Sequence, residues 1–283
     1  MKFAYPHPTL PRATAVTDML LADAETPERI DPTLRRVLAA RIVALAPHRH
    51  AGSIRLDSYA VLQARRESPE AATPFSWSPR IARRILGVAA TQRVVAGITS
   101  TPTAAVRAEI ESAIARSADS QIRPGSLGAW LSEAPFGVLG AVIGEATTYA
   151  TELLTALEWE RLAGGSVGAA DPVWAVPGAP WVSLRGRRDV TVPLNDDAGT
   201  YALVVVRSGR MTASSHEDLA HVALVEGLTH PDRPLPTRVV GLWPASGKAV
   251  SLEVTKETTQ SAARIVVSAM EHLRKNVGAR SAA

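Results

Sequence analysis

The sequence predicts an α/β chain, with a mainly helical N-terminal region followed by a mixed sheet flanked by helices. Three observations carry this. Apolar residues recur at helical spacing through most of the first half. After about residue 172 they recur instead in short β-branched runs. Turn formers punctuate the change at each junction. With 283 residues, 46% of them hydrophobic, the chain can bury two modest cores, so two domains are expected, over 1–126 and 127–283.

The first residues are rich in Pro and Thr and read as an irregular arm with one short helix. Asp31-Pro32 is an N-cap followed by proline at the first helical position, and it opens a helix through Leu34, Val37, Leu38, Ile42 and Leu45 that Pro47 stops. His48 and His50 stand two apart in the next loop, a pair read as solvated rather than metal-binding because no acid lies close in sequence. A helix is expected over 54–66 and a polar linker over 67–74. Ser78-Pro79 then caps another helix, on which Arg80, Arg83 and Arg84 share a face at i, i+3 and i+4. No acid occurs between Glu70 and Glu109. That basic face beside Trp77 is the candidate phosphate-binding surface of the first half, with an ordinary solvated helix face as the alternative. A helix over 103–118 and a loop over 121–126 follow, and 127–143 is apolar enough to be a buried joint between the halves.

In the second half, Ala150, Leu153, Leu154 and Leu157 mark a helix from Gly144-Glu145 to about 162. Extended runs over 173–184, 187–194 and 201–207 suggest an antiparallel meander. A helix over 216–227, strands over 237–243 and 249–254 about a Pro244 to Gly247 turn, and a last helix over 256–275 complete the order.

This order resembles the restriction-endonuclease-like PD-(D/E)XK superfamily, in particular its RecB nuclease-domain branch, over the second half of the chain. The resemblance rests on Gly144-Glu145 at the opening helix, Gly186-Arg187-Arg188-Asp189 before the second strand, and Thr237 to Gly247 as a final hairpin. In that family an acid from the helix, an aspartate and an acid-x-lysine on the third strand converge on divalent ions. The resemblance therefore implies Glu145 and Asp189 as metal ligands for Mg²⁺. The third strand departs from the pattern. Within Leu203-Val204-Val205-Val206-Arg207-Ser208-Gly209, Val205 stands for the acid and Arg207 for the lysine, and Asp218 and Val222 stand where the family has glutamine and tyrosine. Arginine keeps a positive charge but cannot yield a proton as lysine can. Catalysis is thus expected to be weak or lost, unless Lys248 serves as a relocated lysine. Glu145 could equally be a charge favoured by the helix dipole, and Asp189 the partner of a neighbouring arginine.

Composition narrows the rest. The absence of cysteine removes disulfides, thiolate zinc sites and cysteine nucleophiles. No apolar run suits a membrane span or signal peptide, so no membrane role and a cytoplasmic location are expected. The net charge of +4 permits nucleic-acid binding. It is carried almost wholly by arginine, as a GC-rich bacterial genome would produce. Gly164 to Gly168 spells Gly-x-Ser-x-Gly but lies between helix and strand, the reverse of a nucleophile elbow. Three functions follow: a DNA-binding protein on a nuclease scaffold that has lost catalysis, contacting phosphates through Arg80, Arg83, Arg84, Arg187, Arg188 and Arg210; an active metal-dependent DNA nuclease; or a regulatory subunit that uses the scaffold for protein contacts.

Overall fold

A computed structural model describes residues 10–25, 28–46, 53–64, 77–119, 125–162, 166–168, 171–194 and 199–281. Along the chain run helices α1 (Ala13–Leu21), α2 (Pro32–Leu45), α3 (Ser58–Ala64), α4 (Pro79–Val95), α5 (Pro102–Asp119), α6 (Leu127–Glu133), α7 (Phe136–Thr155), α8 (Ser215–Thr229) and α9 (Lys256–Ser281). The strands are β1 (Ile54–Leu56), β2 (Ser166–Val167), β3 (Val173–Val176), β4 (Ala179–Arg185), β5 (Val190–Pro193), β6 (Tyr201–Val206), β7 (Arg238–Trp243) and β8 (Lys248–Glu253). This is the expected α/β class, helical first and then mixed sheet with flanking helices. No helix among the described residues is long and apolar enough to cross a membrane. His48, His50, the 67–74 linker, the glycines at 164 and 165 and the turn residues 195–198 lie outside the described residues.

The chain forms two compact units. One comprises Arg12–Thr17 and Pro74–Ala169, the other Met1–Pro11, Asp18–Thr73 and Ala170–Ala283. The border expected between 126 and 127 therefore falls inside the helical unit. Its core joins Ala82, Leu86 and Ala90 of α4 to Val142, Ala146 and Ala150 of α7 and to Val106 and Ile110 of α5. Ser78 caps α4 as expected, its hydroxyl accepting from the Ile81 N–H. The segment 127–143, read as a joint, instead forms α6 and the first half of α7, so the helix of Glu145 starts at Phe136 and stops at Thr155. Gly137, Gly140 and Gly144 each weaken a helix by roughly 1 kcal/mol against alanine. Burial of Val142, Ala146 and Ala150 outweighs that.

The sheet-bearing unit opens at α2, where Asp31 accepts from the Thr33 N–H at 2.7 Å. The helix expected over 54–66 is divided. Ile54 to Leu56 pairs in parallel with Val182 to Leu184 of β4, and α3 starts only after Asp57, which caps it by accepting from the Ala60 N–H. Pairing with β4 overrides local helical spacing here. β3 pairs antiparallel with β4 on the other side, giving a three-stranded sheet in the order β1-β4-β3.

The expected three-strand meander is likewise divided, because β5 does not continue that sheet. It begins a second one, ordered β5-β6-β7-β8, in which β6 and β7 are parallel and the other neighbours antiparallel. The chain changes sheets at Gly186, where a Cβ would lie 2.8 Å from the Pro172 ring and 3.4 Å from Val225, so only glycine fits the close approach. α8 is the crossover that parallel β6 and β7 require. It is buried from Leu219 to Leu228 and packs against strands of both sheets and against α9. Apolar residues on all its sides suit that position.

Candidate functional site

The register of the second sheet places the residues singled out by sequence. Val190 pairs with Val204, and the Asp189 N–H donates to the Val204 carbonyl at 2.9 Å. One step further along that register sets Asp189 opposite Val205, which pairs with Gly241, which pairs with Val250. Side chains alternate along a strand, so Asp189, Val205 and Arg207 share one face. That face turns towards α8, since Val205 packs in one core with Leu219 and Val222, and Arg207 reaches Asp218.

On this face the charges are matched internally. Asp189 is fully buried. Its Oδ2 accepts from the Val206 N–H at 2.7 Å and lies 3.5 Å from Nε of Arg187. Arg207 donates to Oδ1 of Asp218 at 2.7 Å, with both side chains 14% exposed. Burial lowers the pKa of Arg207; Asp218 and Asp189 oppose that, and Arg187 adds to it. Two guanidiniums thus face two carboxylates. Beside them His221 offers Nε2 to the Arg185 carbonyl at 3.1 Å, and its buried Nδ1 has no hydrogen-bond partner among the described residues. Burial holds this histidine below its ordinary pKa, against the pull of Asp218 and Asp57.

The remaining space on the face is filled by an indole. A Cβ on Gly241 would meet the Trp243 ring at 2.3 Å and Leu219 at 2.9 Å, so the ring lies across Gly241, beside Val205. Trp243 pairs with Lys248. The same row continues to Arg207, because Val206 pairs with Leu242 one residue earlier. Lys248 is therefore two strands from Arg207, at about 10 Å, with Trp243 between them. It is exposed at the start of the edge strand.

The other expected residues separate into paired and exposed. Arg188 donates to Oε1 of buried Glu226 at 3.0 Å, next to Tyr201 and His230. Burial and the Glu226 charge push the Tyr201 phenol upward. Arg210 is exposed in the loop after β6. In the helical unit Arg80 is exposed, Arg84 is half-buried, and Arg83 lies 3.8 Å from Glu145. Glu145, expected beside Asp189 at a metal, thus belongs to the helical unit and has Arg83 for a neighbour there, whereas Asp189 belongs to the sheet-bearing unit.

The chain matches no protein-family model and no curated protein. Residue chemistry must carry the functional argument. Among the described residues no group of three or more His, Cys, Asp or Glu is placed to hold a metal ion. A cleft of about 1440 Å³ in the sheet-bearing unit interleaves Arg29, Arg35, Arg36 and Lys256 with carboxylates such as Glu28, Asp31 and Glu253. Its charges offset one another, so it does not select a polyanion.

Sequence reasoning missed the Arg188 to Glu226 pair and the Trp243 ring. One signal for the first was present: Glu226 is the sole acid in the apolar stretch Leu219 to Leu228. No signal announced the second, because a ring laid across a glycine depends on the strand register.

Proposed function

We propose that the chain is a non-catalytic nucleic-acid-binding protein, built on a PD-(D/E)XK-like scaffold whose metal place is filled by its own side chains. One observation carries the reading: Arg187 and Arg207 face Asp189 and Asp218 where such a scaffold would set a divalent cation among acids. The residues do not fit that ion. Mg²⁺ needs near-octahedral oxygen ligands and keeps several waters. Here the one carboxylate on the strand face is fully buried against a backbone N–H and a guanidinium, and Val205 and the Trp243 ring take the adjoining room. A lysine relocated to position 248 is separated from the cluster by that ring, which disfavours the active-nuclease alternative.

Nucleic acid is favoured as the partner by what lies at this end of the sheet. Ligands of open α/β sheets bind beyond the carboxyl ends of parallel strands. Beyond the ends of β6 and β7 stand exposed Arg210 and Lys248, with Arg187 nearby at the start of β5. Point charges of this kind hold phosphates without reading bases.

The test is a salt titration of duplex binding, joined to cleavage assays in Mg²⁺ and Mn²⁺. The reading expects salt-dependent binding with intact DNA. Cleavage abolished by Asp189→Ala would establish the nuclease alternative, and no binding at low salt would leave a protein-assembly role.

A further inference from the structure

We propose that the exposed face of the three-stranded sheet is a second nucleic-acid contact and that it holds a single strand. This rests on the nucleic-acid reading above but uses residues outside the cluster that carries it.

The inner face of this sheet presents Leu56, Trp174, Val182 and Leu184 to the core. The alternate residues face outward. Registered pairing puts Arg55 beside Ser183 and Ser183 beside Ala175, while Arg185 sits beside Val173. Arg55, Ala175 and Arg185 are exposed, and Val173 is 43% exposed. Residues two apart on a strand are separated by about 6.7 Å and neighbouring strands by about 4.8 Å, so the two arginines are rooted about 8 Å apart. Two carboxylates border these rows, Asp57 one step past Leu56 and so opposite Arg185, and Asp171 two residues before Val173, and among the described residues neither is ion-paired to Arg55 or Arg185. The acids at the rim are engaged elsewhere, Asp57 in capping α3 and Asp171 in accepting from the Arg188 N–H at 3.4 Å. Two outward guanidiniums thus stand on a patch whose other side chains are Ser183, Ala175, Val173 and, two residues before Ser183, the half-buried Trp181, with Asp57 and Asp171 at its rim.

Charge and shape both select the occupant. Guanidiniums fit phosphate oxygens. Reading a duplex through its major groove takes a helix or ribbon that projects into it, whereas a flat sheet face accepts a splayed single strand lying across it. The small side chains between the arginines let sugar and base edges approach the backbone. The same patch would suit an acidic peptide only through charge, with no use for the flat apolar part.

The experiment measures fluorescence anisotropy of a labelled oligothymidylate, a labelled hairpin duplex and a labelled poly-glutamate peptide against the full-length chain at several salt concentrations. With Arg55→Ala/Arg185→Ala, the log-log salt slope for the oligothymidylate should become shallower by about 1.4, at about 0.7 per phosphate, and the duplex slope should move less. Arg55→Lys/Arg185→Lys should retain the wild-type slope, and circular dichroism verifies that both variants are folded. An unchanged single-strand slope with binding intact overturns this proposal and leaves the nucleic-acid reading standing. Absence of salt-dependent binding to either oligonucleotide overturns both. Peptide binding lost in the alanine variant, without oligonucleotide binding, overturns both in favour of an acidic protein partner.

Discussion

Removing the charge of Asp218 tests how the cluster under α8 is held together. Asp218→Asn keeps the shape of the side chain but leaves Arg207, 14% exposed, without the carboxylate it contacts at 2.7 Å. Two carboxylates and two guanidiniums then become one carboxylate and two guanidiniums, and only Asp189 is left to oppose burial and the charge of Arg187 at Arg207. Breaking a buried pair from one side costs about 3 to 5 kcal/mol, because the remaining charge stays desolvated. Arg207→Met should cost a similar amount for the mirror-image reason. Replacing both, as Arg207→Met/Asp218→Leu, removes the uncompensated charge and should return to within about 2 kcal/mol of wild type. Urea unfolding followed by circular dichroism gives the three differences, and a shift in midpoint at constant slope identifies a change in stability. The cycle should show a coupling well above the roughly 0.5 kcal/mol seen for independent sites. Single variants losing less than about 1 kcal/mol, or a double variant equal to the sum of the singles, would refute the argument.

Further outcomes follow from the same geometry. His221 is held below its ordinary pKa of 6.5 by burial. The folded state therefore binds fewer protons than the unfolded state, so stability is full above pH 6.5 and declines as pH falls from there through the folded pKa. Urea midpoints between pH 8 and 5 should show this decline, and His221→Gln should flatten it. Gly241→Ala sets a methyl within 2.3 Å of the Trp243 ring and should destabilise by about 1 to 3 kcal/mol, measured by the same unfolding assay. If Arg210 and Lys248 each neutralise one phosphate, Arg210→Ala/Lys248→Ala should reduce the duplex salt slope by about 1.8. An unchanged slope would remove the carboxyl end of β6 and β7 as the contact.

Much of the fold was legible because local chemistry coincided with tertiary placement. Asp31-Pro32 and Ser78-Pro79 begin helices, and the runs at 201–207, 237–243 and 249–254 are strands, since caps and β-branched runs act locally. The departures are non-local. Ile54-Arg55-Leu56 becomes a strand because β4, more than a hundred residues later, offers it a parallel edge. The break between β4 and β5 depends on how closely Gly186 approaches Pro172 and Val225. At the candidate site, spacing and motif directed attention to Asp189 and Arg207, which do share a face. Spacing alone did not reveal that Asp218 spans to Arg207, that Glu226 receives Arg188, or that Arg83 lies against Glu145. Each of those contacts joins elements whose relative placement is fixed by packing.

The central claim is that internal guanidiniums have replaced a metal at a site that still meets nucleic acid. Its most direct test incubates the full-length chain with an end-labelled duplex in Mn²⁺ at low and at moderate salt, resolving bound and free DNA on a native gel and strand length on a denaturing gel. Retarded DNA at low salt, release at moderate salt and strands of unchanged length are the predicted result. Shortened strands with wild type but not with Asp189→Ala would contradict it, as would DNA that is never retarded.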